Sequence, residues 1–156
     1  ALGTGGVSTL ALRFATAFGA RVIITSSSDE KLERAKALGA WGTINYKDVP
    51  DWEKAVLDMT DGVGVDNVIE VGGAGTLEKS LASARVSGTV SLIGVLTGRA
   101  DNPSPLLALF PRLTSRGLYV GIRALFQTMN RAFETNHLRP FIEPVIAFEE
   151  APALFL

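Results

Sequence analysis

The chain has 156 residues, a length that fits one domain, and 47% of them are hydrophobic, enough to furnish a core. A net charge of −1 leaves no strong field to recruit nucleic acid or an anionic membrane. The absence of cysteine excludes disulfides and thiolate metal sites within these residues, and one histidine does not make a multi-histidine metal site. No apolar run reaches the roughly 18 residues of a membrane helix, and no signal-peptide pattern opens the chain, so the expectation is a soluble, cytoplasmic protein. The start without Met, two residues before a glycine cluster, and the apolar end Leu154-Phe155-Leu156 read as cut ends of a longer protein.

The first element is a glycine loop, Gly3-Thr4-Gly5-Gly6-Val7-Ser8. Only Ala1 and Leu2 precede it, so the strand that normally leads into such a loop is largely missing. Gly3 and Gly5 take the first two places of a G-x-G-x-x-G fingerprint, with Ser8 in the third. Glycine lets backbone N–H groups approach a pyrophosphate, and the helix that follows turns its positive dipole end toward the anion. A side chain at Gly5 would occupy the ligand's space. The competing reading is an ordinary glycine-rich turn before a helix.

That helix is predicted over Val7–Phe18, with Leu10, Phe14, Ala17 and Phe18 on one face. Arg21–Thr25 (RVIIT) predicts a strand, Asp29–Leu38 a helix with Leu32, Ala35 and Leu38 at helical intervals, and Trp41–Asn45 a weaker strand. Asp51–Met59 predicts a helix, Asp66–Val71 a strand, Thr76–Ala84 a helix and Thr89–Val95 a strand. Prolines at 103, 105 and 111 then interrupt regular structure, leaving room for a short helix at Leu106–Phe110. Gly117–Ile122 (GLYVGI) predicts a strand, Ala124–Thr135 a helix and Val145–Phe148 a last short strand. Strands alternating with helices, and apolar on both faces, define an α/β class: a doubly wound, mostly parallel sheet of Rossmann type whose first strand is largely missing.

In such folds the tip of the second strand meets the adenosine ribose, and a carboxylate there favours NAD by accepting from the 2′-hydroxyl. Here the strand ends in Ser26-Ser27-Ser28, with Lys31 one helical turn on. Hydroxyls and a cation suit a 2′-phosphate and favour NADP, with NAD the alternative because Asp29 and Glu30 could also read a ribose. Ser27 and Glu30 also fit an S-x-x-E cap for the next helix.

Taken together, GTGGVS at 3–8, SSSDEKLERAKALGA at 26–40, INYKD at 44–48, GVDNVIEVGG at 64–73, SGTVSLIGV at 87–95 and LRPFIEPVIAFEEA at 138–151 resemble the medium-chain dehydrogenase/reductase superfamily, the zinc-type alcohol dehydrogenase and quinone oxidoreductase relatives. The resemblance covers nearly the whole chain and implies a cofactor-binding domain over residues 1–156. In the relatives the glycine loop holds the pyrophosphate, here Gly3, Gly5, Gly6 and Val7. Residues around the 2′-phosphate map onto Ser26, Ser27, Lys31 and Tyr46. The nicotinamide side maps onto Val71, Gly72 and Gly73 with Ile93, Gly94 and Val95. The strand resembling GLYVG implies pairing with its twin in a homodimer. Relatives usually carry glycine where this chain has Ser8.

The reaction implied is hydride transfer between nicotinamide and a carbonyl, alcohol, quinone or activated alkene. The catalytic residues, and any zinc, are expected in an N-terminal domain outside these residues. A dinucleotide-binding or redox-sensing module without turnover, and a doubly wound domain binding another nucleotide, are the alternatives. His137 reads as a surface or helix-cap residue, Glu70 as a hydrogen-bonded structural carboxylate, Arg123 as a solvated helix start, and Glu149-Glu150 as the start of a last helix. Phe14, Phe18, Phe126 and Phe133 read as core.

Overall fold

A computed structural model of the chain describes residues 1–98, 104–142 and 146–150. Helices and strands alternate as the hydrophobic pattern requires: α1 (Gly6–Ala17), β1 (Ile23–Ser26), α2 (Asp29–Ala37), β2 (Gly42–Asn45), α3 (Trp52–Met59), β3 (Val65–Glu70), α4 (Ala74–Ser83) and β4 (Ala84–Leu92). Beyond them lie α5 (Leu106–Leu109), β5 (Thr114–Gly117) and α6 (Arg123–Thr135).

The strand pairs are all parallel. β1 runs beside β2 from Ile23↔Gly42 to Ser26↔Asn45, and β4 lies between β3 and β5. What joins the two groups is Leu2. It forms a parallel bridge with Thr25 of β1, and its amide donates to the Ile69 carbonyl of β3 at 3.3 Å. Ala1 adds bonds from its nitrogen to the Ile23 carbonyl and from the Thr25 amide to its own carbonyl, at 2.7 and 3.2 Å. The lateral order is therefore β2–β1–Leu2–β3–β4–β5, with Leu2 in the central place. Beside Ala1 and Leu2, between β1 and β3, a cleft of about 600 Å³ is lined by Val22, Ile23, Trp41, Trp52, Val65 and Val68 among others. None of residues 3–8 borders it.

Helices cover both faces because successive β-strand residues point to opposite sides. Ile23 packs with Ile44, Trp52 and Val56 on the α3 side. Ile24, fully buried, packs with Leu12, Leu32 and Ala35 under α1 and α2. Val68 and Val90 meet Leu81 of α4. Ser8 is buried too, and its hydroxyl donates to the Leu2 carbonyl at 2.5 Å. Ser8 thus fastens Leu2 to α1.

Several boundaries differ from the sequence reading. The strand expected at Gly117–Ile122 is instead β5 at Thr114–Gly117, since its partner β4 ends at Leu92 and offers nothing to pair with beyond it. One last bond, from the Leu118 amide to the Leu92 carbonyl, closes the ladder, and Tyr119 and Val120 stand exposed. Ile146 and Ala147 are irregular and residues 148–150 form a single 3₁₀ turn, so the short strand expected at Val145–Phe148 is not seen over its described part; Val145 lies outside the described residues. Phe14 and Phe133 pack edge to face at 5.1 Å, but Phe18 and Phe126 are exposed rather than core.

The cap of α2 is Ser28, whose hydroxyl accepts from the Lys31 amide, not Ser27. Ser28→Ala is expected to cost about 0.5–1 kcal/mol, read by thermal denaturation; an unchanged melting point would deny the cap. His137 sits past the end of α6 at φ +51, where its amide bonds the Glu134 carbonyl and the Leu138 amide bonds the Phe133 carbonyl. That left-handed closure of the helix is the role expected of it.

Candidate functional site

Parallel strands deliver their C-terminal ends to one edge, and the loops there are where such sheets bind ligands. The glycine loop stands at that edge. Gly3 has φ +73, a conformation that favours glycine, and turns the chain sharply out of the Leu2 bridge. Gly5 then serves as the N-cap of α1 with no side chain supplying a cap, and no acidic residue stands in the first turn. Gly5, Gly6 and Val7 are exposed, and among the described residues a Cβ built at Gly5 or Gly6 would meet nothing within 4 Å. The helix therefore presents amide donors and its positive end to open space.

The expected ribose residues gather beside this loop. Ser26 ends β1, buried, with its hydroxyl 3.5 Å from that of Thr4. The Tyr46 amide donates to the Ser26 carbonyl at 3.0 Å, which places Tyr46 at the same strand tips with its ring partly exposed. Lys31 lies in the first turn of α2, exposed. It shares a pocket of about 150 Å³ with Thr4, Gly5, Thr9, Arg34 and Phe141. The Arg34 guanidinium sits 5.5 Å from the Phe141 ring centre, so a distant segment forms one wall. Arg34 and Phe141 were not legible as site residues: Arg34 reads as a solvated helix position, and no local pattern brings residue 141 back to the loop. Asp29 is engaged with the Asn45 side chain at 2.8 Å.

The second expected group also converges. Ile93 and Gly94 donate their amides to the Glu70 carbonyl at 2.8 and 3.2 Å, and the Thr97 amide donates to the Gly72 carbonyl at 2.7 Å. Val71–Gly73 and Ile93–Val95 are thereby pressed together, so tightly that a Cβ on Gly94 would stand 2.8 Å from the Val71 carbonyl carbon. Glu70 itself is fully buried. Its Oε1 accepts from the Gly72 and Gly73 amides at 2.7 and 2.9 Å and from the Thr76 hydroxyl at 2.7 Å, and Oε2 accepts from the Ser80 hydroxyl. A hydrogen-bonded structural carboxylate is what the sequence reading expected.

Among the described residues no group of three or more His, Cys, Asp or Glu is placed to hold a metal ion. The chain has no cysteine and its one histidine is exposed beyond α6, so these residues do not fit a zinc ion. No described helix is long and apolar enough to cross a membrane.

A parallel sheet covered on both faces, with a glycine turn opening a helix at its C-terminal edge, defines a Rossmann-type domain. Residues 6–135 match the family model of the zinc-binding dehydrogenases. A zinc-type alcohol dehydrogenase-like protein of Schizosaccharomyces pombe is 45% identical over 154 residues, covering 96% of this chain and 44% of that protein. A solved structure from Sinorhizobium meliloti, assigned as an alcohol dehydrogenase, superposes with TM-score 0.90 at 37% identity, covering 99% of this chain and 45% of the other. A quinone oxidoreductase of Pseudomonas syringae gives TM-score 0.78 at 29% identity, covering 98% and 50%. The chain belongs to the zinc-binding dehydrogenase family, as a cofactor-binding segment of the medium-chain dehydrogenase/reductase superfamily. It spans about half the length or less of these relatives.

Proposed function

We propose that residues 1–156 are the dinucleotide-binding domain of an NADP-dependent oxidoreductase, with the catalytic groups and any zinc carried outside these residues. The observation that supports this most is the open glycine turn beside the Ser26–Lys31 strand tip. Among the described residues no atom lies within 4 Å of a Cβ built at Gly5 or Gly6, and hydroxyls and a cation lie next to the turn. When bound, the nicotinamide ring supplies the hydride at its C4. The chain's own residues bind and orient. Gly3 turns the loop, and the amides of Gly5, Gly6 and Val7 hold the pyrophosphate. Ser26, Ser27, Lys31 and Tyr46 hold the adenosine ribose and its 2′-phosphate. Val71, Gly72, Ile93, Gly94 and Val95 wall the nicotinamide half, and Val95, largely exposed, leaves a face open toward a small-molecule substrate. A carbonyl, alcohol, quinone or activated alkene fits this role, in a cytoplasmic homodimer.

The intact protein is expected to bind NADPH more tightly than NADH in fluorescence titration. Lys31→Ala should weaken NADPH by about three- to tenfold, less than the roughly ten- to hundredfold of a full charge-assisted hydrogen bond because the lysine is exposed. NADH should be nearly unaffected. Equal losses for the two cofactors would remove the 2′-phosphate role and return the reading to NAD.

A further inference from the structure

A buried carboxylate is costly unless its oxygens are satisfied, so a fully buried glutamate at a strand end calls for a reason. Glu70 is the last residue of β3, and its side chain and its carbonyl face different elements. The carboxylate gathers the Gly72 and Gly73 amides and the hydroxyls of Thr76 and Ser80, which lie in α4. The carbonyl accepts from Ile93 and Gly94 after β4. The two loops that wall the nicotinamide half are therefore tied to one residue. Its charge also lies at the start of α4, where Gly73 supplies no side-chain cap and a negative group suits the helix dipole.

The geometry points to Glu70 as a positioning residue: it holds the Val71–Gly73 turn against Ile93–Val95, so that the wall meeting the nicotinamide ring is rigid before the cofactor arrives. Glu70 touches neither cofactor nor substrate in this role, and acts through the Gly72 and Gly73 amides. The inference rests on the dinucleotide reading above. It separates the two halves of the cofactor, since the loops tied to Glu70 differ from those that hold the adenosine end.

The test uses the intact protein and two ligands, NADPH and 2′-phospho-ADP-ribose, which keeps the adenosine half and lacks nicotinamide. In Glu70→Gln and in Thr76→Val, which keeps the charge and removes one donor, NADPH affinity is expected to fall about tenfold and about threefold respectively. The change in NADPH fluorescence on binding should shrink in parallel. Affinity for 2′-phospho-ADP-ribose should hold within about twofold. Equal losses for both ligands, or no loss for either, would overturn the positioning role. If Glu70→Gln does not fold, as its circular dichroism would reveal, Thr76→Val and Ser80→Ala decide by the same comparison. A wild-type protein that binds neither ligand instead sinks the dinucleotide reading, and this inference with it.

Discussion

Gly94→Ala is expected to destabilise the protein by roughly 1–3 kcal/mol, the usual cost of forcing atoms into a filled space. The added methyl would stand inside contact distance of the Val71 carbonyl, with the rest of that peptide within 3 Å, and these are backbone atoms in a turn already bonded to Glu70. Neither side has a flexible end to move aside. At about 2–4 °C per kcal/mol for a domain this size, the shift is readable by thermal denaturation. Gly42→Ala is the control. Its methyl would also crowd a neighbour, but chiefly the terminal methyl of Met59, the far end of an adaptable side chain. It should cost less than Gly94→Ala. A Gly94→Ala protein that melts with the wild type would mean that the two loops are not pressed together.

Gly6→Ala is expected to act in opposite directions on fold and on binding. Gly6 is the first residue of α1, its surroundings are open, and alanine is the better helix former by up to about 1 kcal/mol. The melting point should hold or rise slightly. The same methyl would stand where the pyrophosphate has to approach, and dinucleotide affinity should fall at least about tenfold. Isothermal titration beside a melting curve reads both signs. A raised melting point with unchanged affinity would show that no ligand comes close to this turn, and would remove the main support for the proposed function.

Much of this was legible in the residues. The period of Leu32, Ala35 and Leu38 marked α2, the β-branched run ending at Thr25 marked β1, and glycines flanked by a helix pattern marked the turn. Local pattern did not reach where a partner decides the outcome. Leu118–Ile122 has strand-like residues, yet β4 stops at Leu92 because the chain after it turns in to the Glu70 carbonyl. Phe18 and Phe126 sit at the spacing of core residues, but no described element covers them. In the site, the hydroxyls and lysine after β1 could be named from their order alone. Arg34 and Phe141 could not, because their meeting depends on a return of the chain from beyond α6. Glu70 was legible as a residue that needs hydrogen bonds, whereas its donors, from Gly72 to Ser80, follow from how α4 starts.

The bridge at Leu2 bears on what a ligand would do to the sheet. Leu2 pairs with Thr25 on one side and its amide donates to the Ile69 carbonyl on the other, so it stands on the line between the β1–β2 pair and the β3–β4 pair. A dinucleotide held as proposed would lie across that line, its adenosine over one pair and its nicotinamide over the other. Its binding to the intact protein is expected to slow deuterium uptake in Ile23–Asn45 and in Val65–Leu92 together. Protection confined to one of the two pairs would show that the ligand does not cross. The cofactor of the proposed function would then be a crossbeam of the sheet as well as its cargo.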